Sequence, residues 1–170
     1  MFDLLNGLAS SRIDTSDAEQ VVQYNPHAAV GTTLPYGNRN MVAHTSRERF
    51  PFQGTTLAVH LVRLTCVLIG AGTILCTAVI AATLFPSLPW LPVAAAALVA
   101  FNPQFIFIHS SVSNDVLLTL LSSSALCLVT QIWRKGASRT RLVLLGVVLG
   151  ILALGIVASL LASRGGTDSK

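Results

Sequence analysis

The stretch that most limits what this chain can become is Leu91–Leu121, LPVAAAALVAFNPQFIFIHSSVSNDVLLTLL. It is an apolar run interrupted once at Asn102-Pro103 and once by the polar cluster from His109 to Asp115, after which it turns apolar again. In water such a segment aggregates. In a bilayer, where about 20 residues of helix cross the hydrocarbon, it reads as two spans joined by a short polar hairpin. Asp115, the one acid near a span entrance, stands at the tip of that hairpin, which makes it the first candidate for function.

The remainder of the chain has the same character. Charged residues are only 11% and hydrophobic residues 52% of the whole, against about 25% charge in a soluble domain. Residues 1–56 are ordinary polar sequence, and nearly everything after Thr56 is apolar run or short connector. The expected fold is all-α and integral to a membrane, with about four transmembrane helices and a mostly irregular polar N-terminal segment. The spans are expected at about 57–85, 90–109, 114–133 and 142–162, with a polar tail at 163–170. The net charge of +4 does not point to nucleic acid, because the basic residues cluster beside spans, as in membrane anchoring. Cys66, Cys76 and Cys127 lie inside apolar runs without CxxC spacing, so they are expected to be small lipid- or helix-facing side chains.

Residues 1–20 lack the basic and apolar regions of a signal peptide. From Val21 to Gly54 the chain holds Pro26, Gly31, Pro35, Gly37, Asn38, Asn40 and Pro51, a composition that makes turns rather than a packed core. In the first span His60 and Arg63 sit three apart on one face near its start. Cys66, Gly70, Thr73, Thr77 and Ala81 form a stripe of small or weakly polar residues for close approach of a neighbouring helix. Pro86, Pro89 and Pro92 force the turn into the second span. That span bends or breaks at Asn102, because Pro103 removes a backbone donor and disfavours helical geometry at the residue before it. Two outcomes stay open there: a kink repaired by Asn102 and Gln104, or a broken helix lining a polar cavity. Ser113 or Asn114 is expected to cap the third span, with Asp115 favourably placed in its first turn. Ser122–Ser124 is expected to face another helix, and Gly146-x-x-x-Gly150 in the fourth span permits close helix contact.

Arg134, Lys135, Arg139 and Arg141 make a basic 134–141 connector, which favours the cytoplasm. In a four-span chain this puts the N-terminal segment and the 110–115 hairpin outside, together with Arg47, Arg49, Arg63, Arg164 and Lys170. Nothing in residues 1–56 would export that segment, so a further span upstream is expected.

Two blocks carry a family resemblance: NPHAAVGTTLPYGNRNMVAHTSRERFPFQGTTLAVHLVRL, and LVAFNPQFIFIHSSVSNDVLLTLL. The sharpest parts are FP-x-x-G-x-x-LAVHL-x-RL, Phe50 to Leu64, and FNPQF…SVSND, Phe101 to Asp115. Together and in this order they resemble the GT-C glycosyltransferase superfamily, in the branch of protein mannosyltransferases and lipid A aminoarabinose transferases. The resemblance covers roughly Asn25 to Gly150. It implies transfer of a sugar from a polyprenyl-phosphate donor on the extracytoplasmic side of the cell membrane, often with a divalent metal. It also implies that Asp115 is the second of the family's acids. The leading acid of the family follows a first span that this chain lacks, and Asp14, Asp17 and Glu19 do not match it; the chain therefore resembles an internal portion of such an enzyme.

A carboxylate at Asp115 is equipped to orient or deprotonate an acceptor, or to hold a metal, and equally to do no more than favour a helix start. His60 and Arg63 are candidates to meet a lipid phosphate, the alternative being side chains that snorkel at a span end. His109 and Asn114 are further candidates for substrate binding. From other functional classes come a transport or channel subunit built on the break at Asn102-Pro103, and a membrane fragment without catalysis.

Overall fold

The structure, a computed structural model, describes residues 12–26, 28, 42–43, 45–113 and 115–165 of the chain. The chain divides into two compact units, residues 3–62 and residues 63–170 together with 1–2.

In the first unit a single turn of helix, α1 (Ala18–Val21), leads into strand β1 (Gln23–Tyr24). This pairs antiparallel with β2 (Val42–Ala43), Gln23 opposite Ala43 and Tyr24 opposite Val42. One 3-10 turn follows at Ser46–Glu48. The described residues of the polar segment are mostly irregular, in keeping with its turn-forming composition. Its order comes from Asp17, whose carboxylate Oδ1 accepts the Thr55 backbone N–H at 2.9 Å and the Thr55 hydroxyl at 2.6 Å. Thr55 lies in the first turn of α2 (Gly54–Leu84), where backbone donors have no partner within the helix. Asp17 thus caps α2 from 38 residues away. Gly54 makes room for it: φ is +52°, and a Cβ there would overlap the Asp17 carboxylate.

The second unit holds the rest of α2, then α3 (Leu91–Ala100), α4 (Pro103–Ser110), α5 (Asp115–Lys135) and α6 (Arg139–Gly165). Three helices, α2, α5 and α6, are long and apolar enough to cross a membrane. The pair α3–α4 passes the same test only jointly, with a bend of 61° between its members. The four expected spans therefore correspond to three single helices and one broken pair. Of the two outcomes at Asn102-Pro103, the break is the one observed. Asn102 is extended, at φ −71° and ψ 119°, and its side-chain oxygen accepts the N–H groups of Gln104 and Phe105 at 2.9 and 3.3 Å. Repair comes from Asn102; Gln104 contributes its backbone donor.

Contacts along α2 fix the arrangement of this unit. Gly72 meets Leu120, Cys76 Sγ lies 3.6 Å from Ser124 Oγ, and Arg134 reaches to 3.5 Å from the Leu84 carbonyl. The partners advance in the same direction on both helices, so α2 and α5 run parallel, and α6 folds back on α5 after the short turn at Gly136–Ser138. The small-residue stripe of α2 does face its neighbours: Cys66 is fully buried, and Gly70, Thr73 and Ala81 are buried with it. The Gly146-x-x-x-Gly150 face behaves differently. A Cβ added at Gly146, Gly150 or Gly155 would meet nothing within 4 Å, so α6 packs on α5 without using it.

Candidate functional site

His109 is placed by the break. Pro103 starts α4 afresh, and the last turn of that helix carries the imidazole against Gly70 of α2. The contact is tight enough that a Cβ on Gly70 would lie 2.6 Å from His109 Cδ2. The ring stacks on Phe105, centroids 3.8 Å apart, and Nδ1 pairs with the Phe105 carbonyl at 2.9 Å. That pairing is a donation when Nδ1 carries the proton, which leaves Nε2 as an acceptor. Nε2 is buried without a partner among the described residues, and so is the hydroxyl of Thr73, one turn of α2 beyond Gly70. Buried polar atoms without partners are uncommon. The imidazole thus brings one unsatisfied ring nitrogen into the packing of α4 against α2, and Thr73 carries a second orphaned polar atom along α2.

Asp115 is exposed in the first turn of α5. Its backbone N–H donates to Ser113 Oγ at 3.2 Å, so Ser113, one of the two expected caps, does engage the start of α5, and its carbonyl accepts the Thr119 hydroxyl at 2.6 Å. No hydrogen bond or ion pair engages its carboxylate among the described residues. Arg63 is also exposed and likewise unpaired among them. Because α2 and α5 are parallel with Gly72 level with Leu120, Asp115 is level with Val67. Arg63 and Asp115 then differ in height by about 6 Å, at about 1.5 Å per residue. Arg63, His109 and Asp115 share one end of the helical unit.

His60 belongs to the other unit, in the second turn of α2, where it stacks on Phe52 at 3.8 Å and pairs through Nδ1 with the Thr56 carbonyl at 2.7 Å. Asn114 lies outside the described residues. No three His, Cys, Asp or Glu side chains gather to hold a metal ion among the described residues, so the divalent metal implied by the resemblance finds no ligand set there. Sequence reasoning did not single out Asp17 or Phe52. Asp17 acts on a helix far along the chain, which no local spacing reveals, whereas Phe52-x7-His60 is close enough in sequence to have been noticed. No family model, curated protein or solved structure matches this chain.

Proposed function

We propose that this chain is a multi-span membrane component of a glycosyltransferase that uses a polyprenyl-phosphate sugar. The Asp115 end lies on the extracytoplasmic side and the 134–141 connector on the cytoplasmic side. The observation that carries this is the placement of an exposed carboxylate, Asp115, and an exposed guanidinium, Arg63, both unpaired among the described residues, within about 6 Å of one another in height at one end of the bundle. The dimensions agree with a membrane interface there. From Leu64 to Leu84, α2 is about 31 Å long, close to the thickness of the hydrocarbon, which leaves Arg63 at one boundary and Arg134, beside Leu84, at the other. A guanidinium at that level suits a lipid-borne phosphate, and a carboxylate suits the acceptor hydroxyl.

Sugar transfer from a phosphate donor also needs charge neutralised on the leaving phosphate. Asp115 and Arg63 alone are modest equipment for that, so the isolated chain is expected to bind the donor lipid and transfer little or no sugar. Binding of polyprenyl phosphate to the purified chain in nanodiscs tests this. Arg63→Gln should weaken it about tenfold, the size of one lost charge-assisted contact, and Asp115→Asn should leave it intact. Binding no better than that of a phosphatidylcholine control would end the proposal. Robust transfer by the isolated chain, abolished by Asp115→Ala, would overturn the expected dependence on further groups.

The 61° break between α3 and α4, with the buried Nε2 of His109 unpartnered among the described residues, favours a second function, a solute pathway. Solute uptake into proteoliposomes, lost in His109→Ala, would select it over the transferase.

A further inference from the structure

The opposite end of the helical unit carries a different chemistry. Four cations, Arg134 and Lys135 at the end of α5 and Arg139 and Arg141 at the start of α6, flank the turn between these helices, and Asp115 at the far end is the sole acid between Glu48 and Asp168 in the sequence. Two of the four are engaged locally. Arg134 extends to the Leu84 carbonyl at the C-terminus of α2, and Arg141 Nη1 donates to the Gly136 carbonyl at 2.9 Å. Cations at helix C-termini satisfy the free carbonyls there. Lys135 and Arg139 are left over. Both are exposed, they flank the turn opened by Gly136 at φ +83°, and neither makes a hydrogen bond or ion pair among the described residues. Beside them Trp133 is 76% exposed, and Trp90, shortly after the end of α2, is 61% exposed. Indole rings of this kind favour the headgroup level of a bilayer.

We propose that Lys135 and Arg139 form a headgroup clamp for an anionic phospholipid, with Trp133 against its glycerol and upper acyl region. Charge complementarity selects the occupant. An uncompensated cluster beside long apolar helices draws anionic lipid, whereas a zwitterionic headgroup brings its own cation and gains little. The engaged pair, Arg134 and Arg141, holds the turn in place, and the unengaged pair meets the phosphate.

The test is thermal unfolding of the purified chain in detergent, with added phosphatidylglycerol, phosphatidylcholine or inorganic phosphate. Phosphatidylglycerol should raise the midpoint above the phosphatidylcholine value, and inorganic phosphate should leave it unmoved. Lys135→Gln/Arg139→Gln should remove that difference, with phosphatidylglycerol affinity falling on the order of fivefold per cation lost. Arg49→Gln, which removes one cation from the unit of residues 3–62, should preserve it. Equal stabilisation by the two lipids, a shift reproduced by inorganic phosphate, or an equal loss in Arg49→Gln would each overturn the clamp.

Discussion

Replacing Gly70 by alanine tests the packing on which the candidate site rests. A Cβ at position 70 would lie 2.6 Å from His109 Cδ2, 3.0 Å from Cγ and 3.2 Å from Cβ. The ring cannot swing aside freely, because it is stacked on Phe105 and tied through Nδ1 to the Phe105 carbonyl. Either α4 moves away from α2 or His109 abandons both contacts, and overpacking of this kind costs about 1–3 kcal/mol. Against that, alanine gains about 1 kcal/mol over glycine in a helix interior. Gly146→Ala provides the matched control, since its Cβ would meet nothing within 4 Å and only the helix-forming gain applies. The difference between the two variants isolates the clash and should be about 1–3 kcal/mol. Unfolding by SDS in mixed micelles, followed by circular dichroism, measures it. Combining Gly70→Ala with His109→Ala should recover most of the loss, because the clashing ring is gone and the two sites are in contact. If Gly70→Ala is as stable as Gly146→Ala, the close approach of α4 to α2 is wrong, and with it the burial of His109.

Two further substitutions address the helix starts. Asp17→Ala removes both acceptor contacts to Thr55 and should cost about 1–2 kcal/mol of local stability; hydrogen exchange at the Thr55 amide should quicken by roughly tenfold while amides in the middle of α2 are unchanged. Slow exchange retained at Thr55 would show that Asp17 is not its cap. Asn102→Ala removes the acceptor for the Gln104 and Phe105 amides and should destabilise by about 1 kcal/mol in the same SDS titration. The bend should persist, since Pro103 still lacks a donor, and spin-label distances across residues 98 and 106 report it; a straightened pair would place the cause of the break in Asn102 rather than in the proline.

Much of this protein was legible in order of residues alone. Long apolar runs must satisfy their backbone internally, and helices do so within one segment, so helix number and approximate limits follow from composition. The break at Asn102-Pro103 also follows locally, because proline acts on its own neighbours in the chain. Even the stripe from Cys66 to Ala81 announced a packed face by its spacing.

Other features required distant residues to meet. That Asp17 caps α2, that Gly70 is the seat of His109, and that Gly146 and Gly150 face no partner among the described residues depend on which segments are brought together. The same holds for the candidate site. His60 and Arg63 are three residues apart, yet the first is taken up by Phe52 and the second stands unpaired among the described residues. Periodicity tells which residues of a helix share a face; it carries no information about what stands opposite that face, and only the tertiary arrangement decides that.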